Sequence, residues 1–377
     1  MKKVLLITIV FLAFKAEAQT SILQLADSLY IHGNYTKAIK AYKSHKNQEE
    51  VYNKIAKAYI AMGNYDEALI NYENSLKANP KDVLTLFEYG KLLTRVKKYK
   101  EALEVFYQLI DIDYKNPNYH YESGLVLQQL RDSTDQNRFR NAFDLDSTHQ
   151  KAIFQIAKYH LKKQHFTTVD KFVDIGLSTY ATNKKLISLK AQNYYWKKEY
   201  ENAALWFEKL ITLNESSQFI HEKLRNCYMH QYEFEKAIKH GEKALEFDMM
   251  NTTNLFILGE LFERVEDFKN AEKYMLQALL LQDIPLDQEY VKLGFVYNRQ
   301  KKYKEAIDAY KRAVDENPEN EQAHFFLINS KNEYYKDIDT RINLYEAFLK
   351  KFPKSKYNKM VEYKIKQLKE AQFLKEN

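Results

Sequence analysis

Aromatic residues recur along this chain at a pitch of about 34 residues, and each is followed three positions later by an alanine or a valine. The apolar positions around them recur at intervals of three and four, which is the period of a helix with one buried face. The aromatic positions are Tyr35, Tyr65, Tyr99, Phe166, Tyr200, Phe234, Phe268 and Tyr303. The pattern predicts an all-α repeat protein whose units bury their apolar faces on one another.

A small residue recurs in the helix that precedes each aromatic position. We call this first helix of a repeat helix A and the second helix B. The small helix A residues are Ala26, Ala56, Gly90, Gly124, Ala157, Ala191, Gly259 and Gly294, and Arg225 is the exception. Because a larger side chain would push paired helices apart, these positions predict the crossing points of helix A and helix B.

Two copies show the complete pattern. One consists of Ile55-Ala56, Tyr59, Gly63-Asn64-Tyr65, Ala68, Tyr72 and Pro80, and the other of Leu293-Gly294, Tyr297, Tyr303, Ala306, Tyr310, Ala313 and Pro318. This arrangement resembles the tetratricopeptide repeat (TPR), a helix-turn-helix unit. The resemblance implies an α-α superhelix, or TPR solenoid, of about ten repeats. It also implies a concave channel, lined by helix A, that holds peptides or partner helices.

The N-terminus has the pattern of a signal peptide over residues 1–18. Lys2-Lys3 precede an apolar run from Val4 to Phe14, and Ala16-Glu17-Ala18 provides the small residues that signal peptidase accepts. The alternative, an uncleaved anchor, is disfavoured because the run is too short to span a bilayer. A composition rich in Lys, Asn, Tyr and Ile is typical of an AT-rich bacterial genome. We therefore expect export to the periplasm or cell envelope of a Gram-negative bacterium.

The repeats are predicted to fill residues 19–354, with a poor tenth copy that begins near Gln322. Residues 355–377 predict an amphipathic capping helix with Tyr357, Val361, Ile365, Leu368 and Phe373 on its apolar face. A basic helix on a membrane surface is the alternative, but glutamates interrupt its positive face. After cleavage of the leader, no direct membrane insertion is expected.

The fourth copy departs from the pattern. Arg131 to Gln136 replace the expected aromatic and alanine, although Phe139 and Ala142 resume the apolar spacing. Two interpretations remain open: a drifted but folded repeat, which is the simpler one, or a softer joint between two rigid halves.

The inventory of reactive residues disfavours an enzyme. All eight glycines have repeat roles, so none remains to hold a phosphate, and no nucleotide, nucleophile-elbow or zinc-protease motif occurs. Cys227 and His230 lie three residues apart, with His221 and His240 nearby, but no standard zinc spacing results. We expect no catalytic residue, no cofactor and no metal. The modest net charge of +7 and the predicted export also disfavour nucleic acid as a partner.

The predicted binding residues lie on helix A. Its fifth position is aromatic in four copies, lysines follow one turn later in two of them, and one further aromatic lies in the sixth repeat. These candidates are Phe87, Lys91, Tyr121, Phe154, Lys158, Tyr195 and Phe256, and Trp196 can extend the set. An aromatic channel with basic flanks suits an extended apolar segment that carries carboxylates. The alternative is that these aromatics belong to the core between repeats.

The favoured function is therefore a non-catalytic scaffold or adaptor that binds an envelope protein or peptide in its groove. A sensor or carrier for a small peptide or glycan is the alternative. The sequence leaves the oligomeric state open.

Overall fold

The computed structural model describes residues 22–281 and 286–376. These ranges contain 21 α-helices, one 3₁₀ turn and no β-strand, so the all-α prediction is confirmed. The leader predicted at residues 1–18 lies outside the described residues. No helix in the described ranges combines the length and hydrophobicity that a bilayer-spanning segment needs.

The chain forms two compact units, the first ending at Leu189 and the second beginning at Lys190. The helices of the first unit are α1 (22–31), α2 (Tyr35–Lys43), α3 (Tyr52–Ala61), α4 (Tyr65–Ala78), α5 (Val83–Arg95), α6 (Tyr99–Ile112), α7 (Pro117–Gln129), α8 (Asp135–Leu145), α9 (Gln150–Lys162), α10 (Phe166–Thr179) and the first part of α11 (Lys184–Trp196).

The second unit contains the remainder of α11 and the rest of the helices. These are α12 (Tyr200–Thr212), α13 (Gln218–His230), α14 (Phe234–Leu245), α15 (Thr252–Arg264), α16 (Phe268–Leu280), α17 (Asp287–Arg299), α18 (Tyr303–Glu316), α19 (Glu321–Tyr334), α20 (Ile338–Lys351) and α21 (Asn358–Glu376).

Within each unit, helices that are consecutive in sequence pack on one another as helical hairpins. Over the described residues the helix number corresponds to ten pairs and one additional helix, as the repeat pitch predicts. The interval from Tyr35 to Tyr65 is shorter than the others because α2 and α3 have only 9 and 10 residues, with a 3₁₀ turn at Gln48–Glu50 between them. Helix starts are fixed by side-chain caps such as Asp82, whose carboxylate accepts from the backbone N–H groups of Leu84 and Thr85.

The turn from helix A to helix B uses one residue in the left-handed conformation, two positions before helix B begins in most copies. Gly33 and Gly63 occupy it at φ 76° in the first two repeats. Lysine, arginine, glutamine, tyrosine or glutamate adopt the same conformation in later ones, at Lys97, Arg131, Gln164, Lys198, Tyr232, Glu266 and Lys301. Glycine is therefore preferred for this turn on steric grounds but is not required.

The predicted helix crossings are confirmed. Each small helix B residue is fully buried, including Ala68, Ala102 and Ala306. On helix A, a Cβ added to Gly294 would lie 2.6 Å from the ring of Tyr310, and one added to Gly90 would lie 3.0 Å from Phe106. A glycine on helix A thus makes room for an aromatic ring on helix B.

The exception at Arg225 has a structural explanation. Arg225 is 4% exposed, and the position on α14 that carries an aromatic in most repeats is Gly241. A Cβ on Gly241 would lie 3.4 Å from Cδ of Arg225 and 2.7 Å from the side chain of Leu258. The large and small partners have therefore exchanged helices, which preserves the volume at the crossing.

The fourth repeat is a folded hairpin. Arg131 adopts the usual left-handed turn at φ 58°, but α8 begins at Asp135, later than the pattern of the other copies. Phe139 and Ala142 are fully buried, and Phe139 fills the space beside Gly124. The boundary between the two units lies elsewhere in the chain.

The last helix, α21, covers the tenth repeat. Val361 and Leu368 are buried in one cluster with Phe325, Tyr345 and Phe348. Of the five residues predicted for its apolar face, Phe373 is 65% exposed. Leu374 beside it is 77% exposed, so the C-terminal end of α21 is less tightly packed than the part that carries Val361 and Leu368.

Candidate partner-binding face

The side chains predicted to bind a partner belong to helix A of several repeats, and the structure divides them into core and surface groups. In the first unit, Phe87 on α5 is half-buried. Its ring lies edge-on to Phe106, with the centroids 6.2 Å apart, and 5.7 Å from Tyr119. The ammonium of Lys91 lies 5.4 Å from the Phe87 centroid and pairs with Glu88 at 3.6 Å. Phe87 therefore joins the core while one edge remains accessible.

Tyr121 on α7 belongs to the core. It is 8% exposed, and its ring packs between Phe139 and His149. Its core role agrees with the alternative that the sequence left open for these aromatics. The neighbouring Glu122 is partly buried, and burial raises the pKa of its carboxyl group, whereas Lys91 and Lys151 oppose that rise.

Phe154 on α9 lies at the surface among lysines. Its ring is half-buried, and the ammonium groups of Lys158 and Lys185 lie 5.9 Å and 5.7 Å from its centroid. Lys151 lies on the same side of α9, one turn before Phe154. We call Phe154, Lys151, Lys158 and Lys185 the Phe154 patch. Within the described ranges, no carboxylate forms an ion pair with any of its three lysines.

The second unit contains a different aromatic group. The ammonium of Lys223 on α13 lies 4.3 Å from the ring centroid of Tyr195 and 5.6 Å from those of Trp196 and Phe219. The Tyr195 hydroxyl accepts a hydrogen bond from Asn226 at 3.3 Å. Trp196 is 56% exposed, so this cluster also presents an apolar surface. The sequence analysis missed Phe219 and Lys223, which the turn before α13 brings close to α11.

Phe256 on α15 is the fifth residue of its helix A, as Phe154 is, but the charges around the two rings differ. Its ring lies 5.0 Å from the ammonium of Lys292 on α17. Lys292 forms an ion pair with Glu260, which lies one turn after Phe256. The charge above this ring is therefore already neutralised.

A groove of about 490 Å³ lies on the helix A side of the second unit. Its apolar wall includes Met229, Val291, Phe295 and Phe326, and Glu260, Glu263 and Arg264 add charge. The sequence analysis did not name these apolar residues. Val291 is the fifth residue of its helix A, and Phe295 lies one turn after it. An aromatic residue one turn after the fifth position was therefore the available signal.

The second unit contains a buried thiol, Cys227, and several histidines. Burial raises the pKa of the Cys227 thiol to about 12, which suppresses the thiolate that a nucleophile needs. Across residues 22–281 and 286–376, no group of three histidine, cysteine or acidic side chains is placed to hold a metal ion. His230 stacks on Tyr200 with the ring centroids 4.0 Å apart.

Comparison with known proteins agrees with this geometry. Family models of the tetratricopeptide repeat match residues 53–117 and 288–320. The chain contains tetratricopeptide repeats. A TPR repeat-containing protein of Methanocaldococcus jannaschii is 23% identical over 330 residues, which cover 76% of this chain and 56% of that protein. The chain thus spans about half the length of the curated relative it matches.

Two solved TPR structures are also similar to the chain. One is a tetratricopeptide repeat protein from Parabacteroides merdae, at 14% identity and a TM-score of 0.46, which covers 75% of this chain and 98% of its own. The other is YrrB, described as a TPR protein with an unusual peptide-binding site, at 16% identity and a TM-score of 0.46, which covers 49% of this chain and 95% of its own. TPR proteins are typically non-catalytic scaffolds, and the family and fold indicate a protein-binding scaffold here.

Proposed function

We propose that this TPR protein is an exported, non-catalytic scaffold that binds an extended segment of a partner protein, with the Phe154 patch as its principal anchor. The observation that carries the proposal is the pair of lysines, Lys158 and Lys185, above one half-buried ring without a carboxylate partner in the described part of the chain. An apolar side chain of the partner packs on Phe154. Carboxylates beside it pair with the lysines.

The charges of the patch favour an acidic segment over a neutral or basic one. Lys151 and Lys158 lie within about one turn of Phe154 on α9, and Lys185 reaches the same ring from α11. Their positive charges repel one another, and a bound carboxylate relieves that repulsion. In contrast, Glu260 already neutralises the lysine beside Phe256. The charge selectivity of the proposal therefore rests on the Phe154 patch of the first unit.

A matched pair of dye-labelled peptides tests this proposal. One peptide carries a phenylalanine flanked by aspartate and glutamate, and the other replaces the acids with asparagine and glutamine. We expect fluorescence anisotropy to show tighter binding of the acidic peptide, weakening as salt is added. Phe154→Ala and the double variant Lys158→Gln, Lys185→Gln should each lower its affinity about tenfold or more, a change of about 1.4 kcal/mol.

Lys171→Gln provides a control for the loss of a lysine, since it removes one positive charge from the exposed face of helix B in the repeat that carries Phe154. Its affinity for the acidic peptide should match that of the unaltered protein. Equal binding of the two peptides, or full affinity in Phe154→Ala, would contradict the proposal.

Export to the envelope is a separate part of the proposal, supported by the residue pattern of positions 1–18. Fractionation of the native host followed by N-terminal sequencing should recover the protein outside the cytoplasm with Gln19 as its first residue. Recovery of a cytoplasmic chain that retains Lys2 and Lys3 would overturn this part and leave the binding proposal intact.

The second candidate function, a carrier for a small peptide or glycan, is favoured by the groove of about 490 Å³ in the second unit. A saturable ligand should raise the melting temperature by mass action. Thermal shift measurements with short peptides and oligosaccharides distinguish the two functions, because Phe295→Ala should abolish this shift without affecting the acidic peptide.

A further inference from the structure

The hairpin α13–α14 contains two histidines in its interior. His221 on α13 is 5% exposed and His240 on α14 is 7% exposed. Their Nδ1 atoms lie 2.9 Å apart, which is a hydrogen-bond distance, and the rings stack with centroids 5.2 Å apart. A hydrogen bond between two Nδ1 atoms requires one of them to carry a proton and the other to lack one.

The outer nitrogens of the pair are also engaged. His221 Nε2 lies 2.9 Å from the hydroxyl of Ser216, and His240 Nε2 lies 3.1 Å from a carboxylate oxygen of Glu208 on α12. The hydroxyl of Tyr228 donates to the same Glu208 oxygen at 3.2 Å. These contacts form one chain of hydrogen bonds from Ser216 to Tyr228.

The protons of this chain can be counted. When both imidazoles are neutral, Ser216 donates to His221, His221 donates to His240, and His240 donates to Glu208. One added proton can be accommodated: His240 then donates to both His221 and Glu208, and His221 donates to Ser216. A second added proton leaves two N–H groups facing each other at 2.9 Å with two positive charges, and no rearrangement within the chain relieves this.

We propose that the His221–His240 pair is an acid-sensitive latch: folded α13–α14 accepts one proton at this pair and must open to accept the second. Opening would affect the partner-binding face, since α13 also carries Phe219 and Lys223. The inference concerns the interior of the hairpin and does not depend on the proposed peptide-binding function.

The charges around the pair determine the direction of the effect. Burial lowers the pKa of His221, and His240 and Lys243 lower it further, whereas Glu208 and Glu246 oppose them. The hydrogen bond from His240 lowers the pKa of Glu208, which also feels Lys239. Because the folded pKa of His221 lies below the ordinary value near 6.5, the unfolded chain binds more protons under acid conditions. The contribution of His221 to the free energy of unfolding is therefore fully present above about pH 6.5, and it is lost as the pH falls below that value.

Hydrogen exchange measured by mass spectrometry on the intact protein tests the latch. After correction for the intrinsic exchange rate, the opening constant of α13–α14 should rise about tenfold between pH 7.5 and pH 5.5, as one unmatched proton requires. The hairpin α17–α18 contains no histidine and serves as the internal reference, with no comparable rise. Local measurement is needed because burial also lowers the pKa of other histidines, such as His120 and His324.

Two variants separate the latch from general acid sensitivity. His240→Gln and His221→Gln each remove the second positive charge, so each should lose the tenfold rise in α13–α14. His230→Gln alters an exposed histidine on the same helix and should retain it. An equal rise in α17–α18, no rise in α13–α14, or an undiminished rise in a folded Gln variant would overturn the proposal. The comparison of the two hairpins in the unaltered protein holds even if one variant fails to fold.

Discussion

The hairpins α13–α14 and α17–α18 of the second unit have equivalent repeat positions but opposite interiors. In α17–α18, Gly294 on helix A lies beneath the fully buried ring of Tyr310 on helix B. In α13–α14, Arg225 fills the crossing from helix A, and Gly241 makes room on helix B. The repeat pattern therefore specifies the combined volume at a crossing and leaves open which helix supplies it.

The exchange also changes the chemistry of the interior. The guanidinium of Arg225 donates to the side-chain oxygens of Asn254 and Asn226, and Asn254 donates to the backbone carbonyl of Gly241 at 2.9 Å. Burial lowers the pKa of Arg225. Tyr310 needs only its hydroxyl satisfied, and the Asn298 amide donates to it at 3.3 Å. The polar interior depends on a network of partners, whereas the apolar one depends on shape.

Truncation of the apolar interior should give the largest effect. Tyr310→Ala is expected to destabilise the second unit by about 3–5 kcal/mol, because it removes a fully buried aromatic ring and leaves a cavity beside Gly294. Chemical denaturation followed by tryptophan fluorescence measures this, since both tryptophans, Trp196 and Trp206, belong to the second unit. Tyr232→Ala, at an 80% exposed position, should change stability by less than about 0.5 kcal/mol. Similar losses for the two variants would invalidate the comparison.

The exchanged crossing can be reversed. Arg225→Ala should cost roughly 2–4 kcal/mol, since it leaves a cavity and unpaired asparagine oxygens. Gly241→Met alone should also destabilise, because its side chain meets Leu258 and Arg225. The double variant places a small residue on helix A opposite a methionine on helix B, as Gly259 and Met275 do, so a double-mutant cycle should show at least about 1 kcal/mol of compensation. If the free-energy changes of the two single variants simply add, the exchange of volume does not couple these positions.

A third crossing in the same unit can be overfilled to test whether the combined side-chain volume at a crossing is restricted. Ala271→Leu in α15–α16 introduces a larger side chain at a fully buried position and should destabilise by about 1–3 kcal/mol. The same denaturation experiment measures it, with the exposed Lys269→Leu as a control for added hydrophobicity. A stable Ala271→Leu protein would mean that crossing volume is less restrictive than the comparison suggests.

The smallest expected effects concern tyrosine hydroxyls. Tyr72 in the first unit is fully buried, and its hydroxyl has no hydrogen-bond partner among the described residues. Tyr72→Phe should therefore leave stability unchanged or slightly raised, whereas Tyr310→Phe should cost about 1 kcal/mol through loss of the bond from Asn298. Thermal melts monitored by circular dichroism measure both changes. Equal destabilisation by Tyr72→Phe and Tyr310→Phe would contradict the conclusion that only the Tyr310 hydroxyl contributes a stabilising hydrogen bond.

The candidate site was less predictable than the fold. Phe154 and Tyr121 share the fifth position of helix A, yet Phe154 lies at the surface and Tyr121 is 8% exposed, because Phe139 and His149 enclose it. Likewise, Lys158 and Lys292 both lie above a ring, but only Lys292 has a carboxylate from the preceding repeat within reach. Such differences depend on which neighbours a side chain meets across repeats, and helical period alone does not encode them.

The sequence by itself determined the repeat pitch, the helix pairs, the crossing residues and the special position of Arg225, because spacing along a helix fixes which side chains share a face. Only the tertiary structure decided that Gly241 compensates for Arg225, that His221 meets His240, and that Lys158 and Lys185 lie above Phe154 without a carboxylate partner in the described chain. These features join residues from different helices. Their energies depend on distances of a few ångströms that no local pattern specifies.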